Sequence, residues 1–174
     1  MNEFLIYLCL PPYLAQWYAH ECTQLHYRDK AVCPREIYQF PTPVVPIHGS
    51  QEADVIQMHL TKQPSDVPAK APADATIAIA IPSFPYKPVA YYNYMPQSGL
   101  EHLADTIRYR FKVELCEDIH EARRKVPQSR IDLLINAWMD DHCIENNDTN
   151  FNTLLKIYQR RRDVYRKTPK SKKK

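Results

Sequence analysis

The chain has 174 residues, 44% of them hydrophobic, enough for the core of one domain or of a small domain with an appended module. Its net charge of +3 hides a polarised chain: residues 151–174 hold ten Lys/Arg and one acid, Asp163, while residues 1–150 hold thirteen basic and nineteen acidic side chains. Only Gly49 and Gly99 represent glycine, against fifteen prolines, so no glycine-rich phosphate loop can be drawn, which argues against P-loop and dinucleotide-binding enzymes.

Residues 3–10 read as a short, continuous, apolar buried strand. The same N-terminus lacks the basic region and cleavage site of a signal peptide. No stretch approaches the ~20 apolar residues of a membrane span. Five scattered cysteines argue against a disulfide framework, and the cytoplasm is the expected compartment. Pro11-Pro12 suits a helix start, and Leu14, Trp17, Tyr18 and Cys22 share one face of a helix over 13–22. Residues 23–47, with Pro34, Pro41, Pro43 and Pro46, allow only short edge strands. Ile56, Met58 and Leu60 alternate with Gln57 and His59, which predicts a strand over 54–61. Residues 62–75 read as an exposed Pro/Ala-rich loop. Residues 76–81 form the clearest strand, covered on both faces, and 89–95 a further strand.

From Ser98 the period turns helical. Leu103, Ile107, Phe111, Leu115 and Ile119 recur every four residues, with Leu100 and Ala104 widening the stripe, until Pro127. A strand over Phe111–Leu115 is the rival reading. Ser129 is expected to cap the next helix, with Asp132 three residues on, and Ile131, Leu134, Ile135, Trp138 and Met139 to form its apolar face. After a polar connection, Asp148 or Thr149 is expected to cap a final helix running to about Lys167.

That last helix carries the functional expectation. Phe151, Leu154, Leu155, Tyr158 and Tyr165 form an apolar stripe, while Thr149, Asn152, Thr153, Lys156, Arg160, Asp163 and Lys167 fall on the other side. Amides, hydroxyls and long cations are the groups that meet base edges and phosphates. Lys156, Arg160 and Lys167 are expected to anchor duplex DNA, Asn152 and Thr153 to contribute readout, and Arg161, Arg162 and Arg166 to reinforce backbone contact. Arg162 falls within the apolar stripe, so either its stem snorkels or the helix leaves the core there. Two helices, the second basic, match the outline of a helix-turn-helix; the long connection favours a looser three-helix arrangement.

Met1-Asn2-Glu3-Phe4-Leu5-Ile6-Tyr7-Leu8, Pro11-Pro12-Tyr13-Leu14-Ala15-Gln16-Trp17, Ala137-Trp138-Met139, Thr149-Asn150-Phe151-Asn152 and Ile157-Tyr158-Gln159-Arg160-Arg161-Arg162 resemble stretches of uncharacterised bacterial proteins of prophages and integrative elements. The resemblance implies a mobile-element setting, where small DNA-binding regulators are common, and carries over no catalytic residues. The layout is also similar to phage transcription activators with a dimerising N-terminal region and a C-terminal helix-turn-helix.

Other constellations are less specific. His20, Cys22, His26 and Cys33 lack the paired-cysteine knuckle of structural zinc. Asp140, Asp141, His142 and Cys143 are adjacent and point in different directions, so no metal is expected there. Cys22 with His20 or His26, and Cys116 with His120, lack a nucleophile signature; His120-Glu121 opens a zincin motif that Arg124 breaks. Tyr91, Tyr92 and Tyr94 could stack unpaired bases, with only Lys87 nearby as a cation.

The expected protein is α+β: a 1–97 domain with a mostly antiparallel sheet and an N-terminal helix, a helical helix-turn-helix-like region over 98–167, and a disordered basic tail over 168–174. The expected function is a small, regulatory, non-enzymatic DNA-binding protein without cofactors, metal or membrane partner, dimeric through its sheet region. The alternatives are a protein-interaction module or a single-stranded nucleic-acid or RNA binder.

Overall fold

The computed structural model describes residues 4–26, 40, 42–62 and 70–167, with side chains described at all of these except 23–26 and 163–167. The fold is α+β, with five helices and two small antiparallel sheets among the described residues. Strand β1 (Leu5–Leu8) pairs with β3 (Ile77–Ala80), Leu5 opposite Ala80 and Leu8 opposite Ile77. Val44 flanks β3 on its other edge, its N–H donating to the Ala78 carbonyl and its carbonyl accepting from the Ala80 N–H, each at 2.8 Å. Ile77, Ala78 and Ile79 are fully buried, as a strand with both faces covered requires.

The single sheet expected over residues 2–95 is corrected at two points. Residues 51–59 form helix α2 (Gln51–His59), not a strand. The Ser50 hydroxyl caps it by accepting from Ala53 N–H at 3.2 Å, and Glu52 and Asp54 complement the dipole of its first turn. Ile56 and Leu60 are buried at a four-residue spacing, whereas Met58, the middle of the apparent alternation, is 68% exposed. The second correction concerns β4, which spans only Tyr92–Tyr94 and pairs with β2 (Thr61–Lys62) in a separate ribbon. The Lys87 ammonium closes this corner by donating to the Gln57 and Leu60 carbonyls at the end of α2.

Helix α1 (Pro12–His26) starts as its prolines suggest, with Pro12 in the first helical position. Helix α3 (Gln97–Lys125) is 29 residues long, roughly 43 Å. The expected stripe is its buried face: Leu103, Ile107, Phe111, Leu115 and Ile119 are each 0–1% exposed, and no strand interrupts them. At Gly99 an added Cβ would lie 2.7 Å from His59 Cβ, so a glycine is what lets α2 and α3 cross this closely. Phe111 gathers aromatic rings from α1 and from α4 (Ile131–Asp141): Tyr13 at 5.3 Å, Trp17 at 5.2 Å and Trp138 at 5.6 Å between centroids. One hydrophobic cluster therefore runs from Ile6 to Tyr158.

Two caps differ from expectation. Arg130 rather than Ser129 occupies the N-cap of α4 and makes no side-chain cap bond; its guanidinium instead forks onto Asp132 at 2.7 and 3.1 Å. Helix α5 (Asp148–Lys167) is capped by Asn147, whose Oδ1 accepts from Asn150 N–H at 2.9 Å, rather than by Asp148 or Thr149. Between them, Cys143 turns left-handed (φ 55°) and the Ile144 N–H reaches back to the Met139 carbonyl at 2.9 Å, a Schellman-type stop. Cys9, Cys22 and Cys116 are free thiols, whereas Cys143 is disulfide-bonded, although the scattered cysteines argue against a disulfide framework. Burial pushes the Cys22 thiol up to about 12. Among the described residues, no helix is long and apolar enough to cross a membrane.

Candidate nucleic-acid interface

Helix α5 packs against α3 and α4. At 100° per residue its exposed positions, Asp148, Thr149, Asn152, Lys156, Gln159 and Arg160, fall in one arc. Asn150, Leu154 and Tyr158 fall in the opposite arc and are buried, Leu154 and Tyr158 completely. Asn150 is satisfied there, its amide donating to the Glu145 carbonyl at 2.9 Å. The Tyr158 ring lies 5.7 Å from that of His120 on α3. Thr149, Asn152, Lys156 and Arg160 thus share the open face. Among the described residues, neither Lys156 nor Arg160 has an ion-pair partner.

The other expected site residues are placed differently. Thr153 is half-buried and donates its hydroxyl to the Thr149 carbonyl at 2.7 Å, which turns it back on its own helix. Arg161 is half-buried, its guanidinium 5.9 Å from the centre of the Tyr109 ring on α3. Arg162 is half-buried with Nε shielded from solvent, so the helix is still docked at this point. Arg166 and Lys167 continue the helix, but their side chains lie outside the described residues.

The charge along α5 is uneven. Asp140, Asp141, Glu145 and Asp148 are exposed near its start, and the open cations begin only at Lys156. Asp148 suits the positive end of the helix dipole, but these acids repel phosphate there. The face that can meet a polyanion is the second half of the helix.

A different polar group, unforeseen from sequence, lies between α1, α2, α3 and the end of α4. Arg110 contacts three carboxylates: Nη2 reaches Glu21 Oε2 at 3.0 Å, Nη1 reaches Glu52 Oε1 at 3.4 Å, and Nε lies 3.8 Å from Glu114 Oε2. Glu52 is only 1% exposed. The guanidinium also stacks 5.3 Å from the centre of the Trp17 ring. His142 joins from beyond α4, with Nε2 3.6 Å from Glu114 Oε1 and Nδ1 2.8 Å from the Trp138 carbonyl oxygen. His20 joins from α1, its Nδ1 3.7 Å from Glu21 Oε1 and its ring 5.8 Å from that of His142. Burial disfavours the charge on Arg110, but the three carboxylates outweigh it and raise its pKa further.

One member of each His/Cys grouping noted in the sequence, His20 and His142, is thus brought to the same place. Cys22 is buried on α1, His26 and Cys33 carry no described side chain, and Asp140 and Asp141 face solvent. Periodicity cannot find this group, because the contacts of Arg110 with Glu52 and Glu21 span 58 and 89 positions. The chain matches no family model, no curated protein and no solved structure.

Proposed function

We propose that the chain binds nucleic acid, duplex DNA in the first place, through the exposed face of α5, with Lys156 and Arg160 on phosphates and Asn152 beside them. The observation that carries this reading is a pair of cations, without ion-pair partners among the described residues, on one solvent face of a helix whose opposite face is locked into the core. The described carboxylates do not neutralise that charge, and each cation brought onto the duplex releases condensed counterions. Because acids surround the first turn, the helix meets the backbone with its second half, where Arg166 and Lys167 extend the basic run. A regulatory role in a mobile element, the setting the sequence resemblance implies, is part of the same proposal.

The single-stranded alternative is less well supported. Tyr91 is 68% exposed and Tyr94 also faces solvent, but Lys87, the cation expected beside them, is engaged with the carbonyls of α2.

The test is the salt dependence of duplex binding by the full chain, followed by fluorescence anisotropy. The double variant Lys156→Ala/Arg160→Ala is expected to weaken binding on all sequences and to flatten the slope of log K against log salt by about 1.8, or ~0.9 for each phosphate no longer neutralised. A variant slope equal to that of wild type removes these two residues from the interface. Binding that withstands salt would point instead to a protein-interaction module that tolerates DNA.

A further inference from the structure

We propose that Glu21, Glu114 and His142 bind a divalent transition-metal ion of the zinc class. One nitrogen of His142 and one oxygen from each carboxylate already lie within 4.8 Å of one another. Around a tetrahedral zinc such donors are about 3.4 Å apart, so small side-chain rotations close the site. The three residues come from α1, α3 and the residue that ends α4.

The orientation of the imidazole is a second, independent pointer. The Trp138 carbonyl can only accept, so at 2.8 Å it fixes a proton on Nδ1. The ring is also held flat on the Trp138 indole, 3.9 Å between centroids and 24° between planes. The neutral ring therefore presents the Nε2 lone pair to Glu114 Oε1 at 3.6 Å. A lone pair facing a carboxylate oxygen needs a proton or a metal ion between them. An outer N–H donated to a backbone carbonyl is also how ligand imidazoles are oriented.

Charge gives a third. Glu21, Glu52 and Glu114 share one guanidinium, that of Arg110, so with neutral imidazoles the partly buried group carries excess negative charge, which a divalent ion offsets. Arg110 does not occupy the donor position. It contacts Oε2 of Glu21 and Oε2 of Glu114, while Oε1 of Glu21 faces His20 and Oε1 of Glu114 faces His142 and accepts a long hydrogen bond from Trp17 Nε1 at 3.4 Å. Glu114 also lines a cleft of about 570 Å³ with Glu52, Glu117 and Asp118. Two carboxylates and an imidazole form a donor set suited to zinc and its neighbours, with a fourth position open. The bound ion would tie α1 and α3 to the junction that leads into α5. The site is independent of the nucleic-acid reading.

The experiment titrates zinc chloride into full-length protein stripped with chelator, reading stoichiometry and affinity by calorimetry and elemental analysis. One zinc per chain is expected, with affinity weakened by at least about tenfold in His142→Ala and in Glu21→Gln. Circular dichroism checks that each variant is folded, and the isosteric Glu21→Gln serves if His142→Ala is not. His59 and His102, whose ring nitrogens lie 3.0 Å apart on the exposed surface, are the competing pair. His59→Ala/His102→Ala is therefore expected to leave the affinity unchanged. The proposal is overturned if wild type takes up no zinc at about 0.1 mM. It is equally overturned if the folded site variants bind as wild type does, or if only the His59/His102 variant loses binding.

Discussion

Arg110→Ala is expected to destabilise the metal-free protein by about 3–5 kcal/mol, measured by urea unfolding at neutral pH in the presence of chelator. The substitution leaves three carboxylates facing one another without their shared guanidinium, one of them, Glu52, almost wholly buried. It also removes the cation stacked on Trp17. Arg110→Lys is expected to restore only part of the loss, because an ammonium is a point charge and cannot contact three carboxylates from separate directions. The effect of pH supplies a sign. Burial opposes the charge of Glu21, but the neighbouring His20 imidazole and the Arg110 guanidinium hold its pKa below the ordinary glutamate value. A carboxyl lowered in this way adds stability above its unfolded pKa, about 4.3, and loses it as pH falls through the folded value. The gap between wild type and Arg110→Ala should therefore narrow below about pH 4. A gap that is small at pH 7, or that widens in acid, would show that the network does not stabilise the fold.

The second large effect is expected at the neighbouring position. Phe111→Ala should cost about 3–5 kcal/mol, since the ring is 1% exposed and its removal leaves a cavity among large, stiff neighbours. Tyr13 and Trp17 of α1 meet it on one side and Trp138 of α4 on the other, each pair in tilted or edge-on geometry. Such ring pairs add about 0.5–1.5 kcal/mol each beyond their buried area. Because one cluster joins α1, α3 and α4, the loss should appear as a single cooperative unfolding transition at lower urea, with the fluorescence of both buried tryptophans changing together. Two separated transitions would mean that the N-terminal elements and the C-terminal helices unfold as distinct units.

Much of the fold is legible in the sequence because burial follows a single period over long elements. The four-residue row of α3 and the apolar face of α4 are read directly from spacing, and β1 and β3 from short apolar runs between prolines and loops. Helix α2 is misread because Ile56, Met58 and Leu60 satisfy a period of two as readily as Ile56 and Leu60 satisfy a period of four. What decides it, the Ser50 cap and the exposure of Met58, acts through the backbone and through tertiary position. The caps at Arg130 and Asn147 are each missed by one residue or so, because several polar residues in a row compete for the same N–H groups.

The site divides in the same way. The open face of α5 follows from angular position alone, which is why Thr149, Asn152, Lys156 and Arg160 are found together. Arg161 falls at the buried side of the same wheel, with its guanidinium near the Tyr109 ring. Beyond the Arg110–Glu114 pair, four residues apart on α3, the Arg110 network leaves no trace in any local window. Its carboxylates come from three helices, one of them read as a strand, and His142 enters from the C-cap of α4.

Whether the open cations of α5 meet a polyanion decides the functional proposal. Fluorescence anisotropy of labelled duplex DNA, single-stranded DNA and RNA with the wild-type chain, from low to moderate salt, measures this. Saturable binding to the duplex at low salt, falling steeply and log-linearly as salt rises, is the predicted result. Failure to bind any of the three at the lowest salt would contradict it.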